Sequence, residues 1–117
     1  MNKYKNLIVW ANSVDLSVEI YKLTKIFPSD EKFGLISQIR RCAVSIPSNI
    51  AEGAGRNSNS EFLHFLGIAN GSIAELNTQL LIAEKLEYLT KAQLELCERK
   101  IEEIQNKLFK LQATLKK

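Results

Sequence analysis

Residues 40–53 read Arg40-Arg41-Cys42-Ala43-Val44-Ser45-Ile46-Pro47-Ser48-Asn49-Ile50-Ala51-Glu52-Gly53. At about 100° per residue, Arg41, Ser45, Ser48 and Glu52 fall on one narrow stripe, with Asn49 beside it, opposite the isoleucines. A guanidinium, hydroxyls, an amide and a carboxylate placed in this way have two uses. They can make structural polar contacts along a helix, or they can line a site for a ligand or a neighbouring subunit. A nuclease or phosphotransfer centre would draw on Arg41, Asn49 and Glu52. Acid–base chemistry also needs a positioned titratable pair, and spacing alone does not supply one. The chain therefore does not read as an enzyme.

Other chemistry finds little support. His64 is the single histidine, and the two cysteines, Cys42 and Cys97, stand in no ligand spacing. Zinc sites and disulfide scaffolds both need denser clusters, so neither a metal nor a cofactor is expected, and both thiols read as reduced and buried. The stretch 52–58, Glu-Gly-Ala-Gly-Arg-Asn-Ser, places glycines before a helix start but follows a helix and lacks the P-loop lysine. It reads as a surface loop.

Pro47 lies inside the helical pattern, where a proline costs about 3 kcal/mol or more. The Ala43 carbonyl loses its usual donor, the helix is expected to kink, and something else must offset the loss. Further along, Gly67, Gly71, Ala74 and Thr78 share the side away from an aromatic stripe. Each interior glycine costs a helix about 1 kcal/mol relative to alanine. Such a row lets another backbone come close, so this helix is expected to be covered on two sides, by neighbours within the chain or by another copy. Arg99, Lys100, Lys107, Lys110 and Lys117 spread over the outward side of the last segment, interrupted by Glu103. They read either as a solvated face with i,i+4 pairs such as Glu103–Lys107, or as a surface that tracks phosphates. Base stacking by aromatic residues is not expected on this face.

These residues sit on four expected helices. With 117 residues, 45% hydrophobic and 25% charged, the chain fits one domain spanning 1–117. Two prolines and five glycines leave few breakpoints. Helices are expected over about 3–26, 30–53, 58–87 and 90–115. The first shows Leu7, Ala11, Val14, Val18 and Tyr21 on one face, and Phe27-Pro28 ends it. The second starts at Ser29 or Asp30 as cap, buries Leu35, Ile39, Cys42, Ala43, Ile46 and Ile50, and stops at Gly53 and Gly55. The third opens on a Ser58/Glu61 capping box and carries Phe62, Phe65, Leu66, Ala69, Ile73, Leu76, Leu80 and Ala83. The fourth opens on a Thr90/Gln93 box and carries Leu94, Cys97, Ile101, Ile104, Leu108, Leu111 and Leu115 in heptad spacing. Short connections force antiparallel neighbours. The fold expected is an all-α, up-down-up-down four-helix bundle.

No apolar run approaches the ~20 residues of a membrane span, so a cytoplasmic address is expected. A formal charge of +3 does not by itself argue for nucleic acid.

The block 38–53, followed by Glu61-Phe62, Ile68-Ala69-Asn70-Gly71-Ser72 and Glu75-Leu76, resembles the four-helix bundle protein family, also labelled the 23S ribosomal RNA intervening-sequence protein family. The resemblance spans nearly the whole chain, and the SIPSNIAEG stretch is its most specific part. It implies a bundle that assembles into a ring-like homopentamer. A related branch, the accessory variability proteins of diversity-generating retroelements, forms a basic barrel that binds nucleic acid and a reverse transcriptase. The reading is thus a non-enzymatic scaffold that assembles with copies of itself, with RNA or DNA, or a nucleic-acid-processing protein, as a further candidate partner. A helical adaptor for one specific protein is the alternative.

Overall fold

The computed structural model describes residues 3–117. Its helices are α1 (Ile8–Thr24), α2 (Leu35–Ala54), α3 (Asn59–Lys85) and α4 (Lys91–Leu115), with single 3-10 turns at Lys3–Asn6 and Ser29–Glu31. α2 packs on α1 and α3, and α4 packs on α3 and α1, which closes a four-cornered bundle. The connections at 55–58 and 86–90 are too short to do anything but reverse the chain. The bundle measures 44 × 23 × 20 Å.

The expected stripes of α2, α3 and α4 form the core. Ile39, Ile46, Ile50, Leu66, Leu76, Leu80 and Leu108 are fully buried, as are Ile73, Ile101 and Ile104 to within one part in a hundred. The Thr90/Gln93 box is complete: Gln93 N–H donates to Thr90 Oγ1 at 3.1 Å, and Thr90 N–H donates to Gln93 Oε1 at 2.8 Å. At α3 only half the box forms. Glu61 N–H donates to Ser58 Oγ at 3.2 Å, while the Glu61 carboxylate turns to Arg56 at 3.7 Å.

Three boundaries differ from expectation. α1 begins at Ile8, because Leu7 is extended and separates it from the first 3-10 turn. α2 begins at Leu35 rather than Asp30, since Ser29–Glu31 forms its own turn. Glu31 then serves α2 from outside, its Oε1 accepting from Leu35 N–H at 3.2 Å. α2 also runs through Gly53, which is buried and helical, and Gly55 is right-handed at φ −83°. Gly53 is required for packing instead. A Cβ there would lie 2.9 Å from both Phe62 Cδ1 and Phe65 Cβ. Among the described residues the left-handed position is Glu87, at φ 65°, where α3 turns toward α4.

Helix α1 contradicts its expected face. Ala11, Val18 and Tyr21 point outward, and the residues turned to the core are Val9, Ser13, Leu16, Ser17, Ile20 and Thr24. Three of these carry hydroxyls, and each finds a carbonyl. Ser13 donates to Trp10 O at 2.8 Å and Thr24 to Ile20 O at 2.8 Å. Ser17 Oγ lies 3.0 Å from both Ser13 O and Ala43 O.

The last contact answers the question posed by Pro47. With no N–H at position 47, the Ala43 carbonyl is bonded by Ser17 from the neighbouring helix. α2 continues unbroken through the proline. Ser17→Ala should therefore cost about 1–2 kcal/mol, since it strands a buried carbonyl. In a Pro47→Ala background, where the backbone donor returns, the same change should cost clearly less. Chemical denaturation of the four chains of this cycle measures the coupling, and equal costs in both backgrounds would refute the assignment.

Candidate interaction surface

The outward stripe of α1 does not face open solvent on a convex ridge. It borders a furrow between α1 and α2. Tyr4, Trp10, Val14, Pro47 and Ala51 line one end, and Val14, Ser17, Val18, Tyr21, Val44 and Pro47 line the middle. Tyr21, Phe33, Ile36, Arg40 and Val44 line the other end. The three hollows follow one another along the α1/α2 seam, the first two sharing Val14 and Pro47 and the last two Tyr21 and Val44. The middle is apolar and uncovered, with Val18 49% and Val44 40% exposed, while Ser48 and Glu52 at one end and Lys32, Ser37, Arg40 and Arg41 around the 90% exposed Phe33 at the other are polar or charged. The small hydroxyl residues of α1 produce this arrangement. They fit against α2 at close range and leave the larger Val14, Val18 and Tyr21 outside.

Cations edge the far end of the channel. Arg40 Nε donates to Thr24 Oγ1 at 2.8 Å, its terminal nitrogen donates to Tyr21 O at 3.2 Å, and its guanidinium stands 4.5 Å over the Tyr21 ring. Among the described residues Arg41 donates to Ser37 Oγ alone, at 3.2 Å. Neither arginine reaches a carboxylate among the described residues.

The polar stripe of α2 is divided by this geometry. Ser45 Oγ and Ser72 Oγ share a 2.7 Å hydrogen bond across the α2/α3 seam, and the Asn49 amide donates to Ser45 O at 2.8 Å and to its Oγ at 2.9 Å. Ser48 is exposed at the furrow's edge. Glu52 pairs with Arg56 at 3.0 Å, an exposed i,i+4 bridge worth little. Arg41 and Glu52 thus have separate local partners, about 16 Å apart along the helix axis at 1.5 Å per residue. They make no joint site for acid–base or phosphate chemistry.

Burial, above all, pushes both thiols up from their ordinary range, with the Glu75 charge adding to the effect at Cys42. Neither is an activated nucleophile. Among the described residues, no group of three His, Cys, Asp or Glu is placed to hold a metal ion.

The row on α3 is bare within the chain. Gly67, Gly71, Ala74 and Thr78 are all exposed, and a Cβ on either glycine would meet nothing within 4 Å. The expected close neighbour is not one of the chain's own helices. The adjoining Ile68, Leu81, Ile82 and Leu86 are each 40–50% exposed. Between Gly67 and Ile82 the helix carries one charged residue, Glu75.

The five cations expected along the outward side of the last segment are also divided. Lys107 is half-buried and donates to Asn12 Oδ1, and Lys100 lines a groove between α1 and α4 beside Cys97. Arg99, Lys110 and Lys117 remain on the outward ridge. Phe109, 73% exposed, stands next to Lys110 in the sequence and was legible there as an aromatic outside the heptad stripe. No described helix is long and apolar enough to cross a membrane.

The family model for the 23S rRNA-intervening sequence protein matches residues 5–110. The chain belongs to this family. The match takes in α1, the furrow, the α3 row and most of α4. A crystal structure of a protein of unknown function from the S23 ribosomal protein family, from Bacteroides thetaiotaomicron VPI-5482, is similar at a TM-score of 0.80. It is 28% identical, over 90% of this chain and 98% of that one. No curated protein matches.

Proposed function

We propose that the chain is a non-enzymatic scaffold that works by assembling with copies of itself, as a pentamer in keeping with the family resemblance. The observation that carries this reading is the open furrow. An exposed stripe with Val18 and Tyr21, and half-buried Val14 beside it, lies opposite a buried face that mixes Val9, Leu16 and Ile20 with Ser13, Ser17 and Thr24. A channel of this kind along one side of a small bundle suits a helical partner. Light scattering at micromolar concentration should return particles of about five times the 13.3 kDa chain. A monomer would overturn the assembly reading. A complex holding one foreign protein in fixed ratio, in place of self-assembly, would favour the adaptor alternative. Loss of a measurable activity in Glu52→Gln would reopen the enzymatic one.

Association with RNA or DNA is a second reading, favoured by the Arg99, Lys110 and Lys117 ridge with Phe109 beside it. Binding should weaken steeply as salt rises, because released counterions drive it. Absence of binding to single-stranded and duplex RNA or DNA at low salt would remove this reading and leave the scaffold reading intact.

A further inference from the structure

The far end of the furrow differs in chemistry from its apolar middle. Lys32, Arg40 and Arg41 line it together with Ser37, Tyr21 and Phe33, and no described carboxylate is among its lining residues. Of the acids nearby, Asp30 stands outside the lining. Glu31 gives one carboxylate oxygen to Leu35 N–H at 3.2 Å and the other to the Tyr88 hydroxyl at 2.8 Å. Glu75 lies at the α2/α3 seam, 3.9 Å from Cys42 Sγ, and forms no ion pair with these cations. We propose that this hollow binds a free nucleotide, its phosphates on Arg40, Arg41 and Lys32 and its base against Phe33. Every residue of the site belongs to one chain, so the proposal goes beyond the scaffold reading and does not depend on it.

Donors, aromatic surface and size each point to that class of ligand. Arg40 is held in place before anything binds: Nε and one terminal nitrogen are hydrogen-bonded, and the guanidinium stands 4.5 Å over the Tyr21 ring. Its other terminal nitrogen is left to meet an oxyanion, with little further ordering to lose. Ser37 Oγ accepts from Arg41 at 3.2 Å, and its own proton has no acceptor among the described residues. The cations and this hydroxyl therefore all offer donors, which suits phosphate oxygens, and the planar fork of arginine matches those oxygens in pairs. Phe33 leaves its ring uncovered beside them, with the Lys32 ammonium 5.5 Å from the ring centroid. A bare phosphate makes no use of such a ring, whereas a base stacks on it. The hollow measures about 480 Å³, within the ~300–1,000 Å³ of small-molecule clefts.

Equilibrium dialysis of the full chain against ADP and GDP tests this. One nucleotide per chain should bind, and pyrophosphate and adenosine should each bind about tenfold more weakly or worse, because each offers half of the ligand. Phe33→Ala and Arg41→Gln should each weaken nucleotide binding about tenfold. Both positions are exposed, so the helical circular dichroism of the two variants should match the parent. Lys110→Gln removes a cation from the α4 ridge, outside the hollow, and should leave nucleotide binding unchanged. Absence of ADP and GDP binding at millimolar concentration overturns the proposal, and so does binding that Phe33→Ala and Arg41→Gln leave intact. Pyrophosphate held as tightly as ADP would remove the base from the assignment and overturn it as a nucleotide site. A phosphorylated single-stranded oligonucleotide that binds where ADP and GDP do not would likewise overturn it, and would give these cations to nucleic acid. Light scattering on the same samples keeps the two readings apart: a monomer that binds nucleotide overturns assembly alone, and an assembled chain that binds none overturns the nucleotide site alone.

Discussion

Gly53→Val should lower the thermal midpoint by about 10–15 °C, a loss of about 3 kcal/mol at the few degrees per kcal/mol expected of a domain this size. The position is buried inside α2. Its missing side chain is the space that Phe62 and Phe65 occupy. The Phe62 ring atom 2.9 Å away could swing aside, but Phe65 Cβ at 2.9 Å and Phe62 O at 3.2 Å belong to the backbone of α3 and its first side-chain atoms. They move only if the turn between α2 and α3 opens, and that turn spans residues 55–58 alone. Differential scanning calorimetry measures the effect, and a midpoint within a degree or two of the parent would show that this end of the bundle is loosely packed. Gly71→Ala provides the contrast. With open space at its Cβ, it should gain the ordinary helical preference of alanine, about 1 kcal/mol, in the stability of a lone chain.

The second large effect concerns association. Val18→Asp combined with Val44→Asp should disperse the assembly into single chains of 13.3 kDa with no loss of helix. Both side chains are partly exposed in the lone chain, so their charges are solvated there at little cost. Covered by a neighbour, two carboxylates at about 2–3 kcal/mol each would weaken the contact by about a thousandfold or more. Ile8→Asp is the control. That residue is 69% exposed and lies outside the furrow lining, so its charge should leave the assembly whole. Sedimentation velocity compares the three. Dispersal by the control, or an unmoved boundary for the double variant, would locate the interface elsewhere.

Periodicity recovered the faces of α2, α3 and α4 because their buried residues are mostly large aliphatic ones at spacings of three and four. It failed on α1 for a chemical reason. Serine and threonine count as polar in such a pattern, yet inside a helix their hydroxyls bond back to carbonyls a turn earlier and behave as small, self-satisfied groups. Ser13 and Thr24 do this, and the single Ser17 proton lies between Ser13 O on its own helix and Ala43 O on α2. The Val14, Val18 and Tyr21 stripe was visible as apolar, but a pattern of spacing does not say what covers a face. Gly53 was misread through a related ambiguity, since a glycine near a helix end can serve a turn or a close approach, and only the position of Phe65 separates the two. The α2 polar residues and the α4 cations could be named but not grouped. Partners from other helices, Ser72 and Asn12, decide where Ser45 and Lys107 go.

The hydrogen bond from Ser17 to Ala43 has a bearing on how the chain acquires its shape. A peptide cut to contain α2 alone would lack both a backbone donor at Pro47 and the Ser17 hydroxyl that reaches the Ala43 carbonyl. Local structure at that turn is therefore not a preformed rod awaiting docking. It is completed as α1 arrives, so coil-to-helix conversion there and collapse of the bundle are parts of one cooperative event, and slow amide exchange around residue 43 should be a property of the assembled fold and not of the segment.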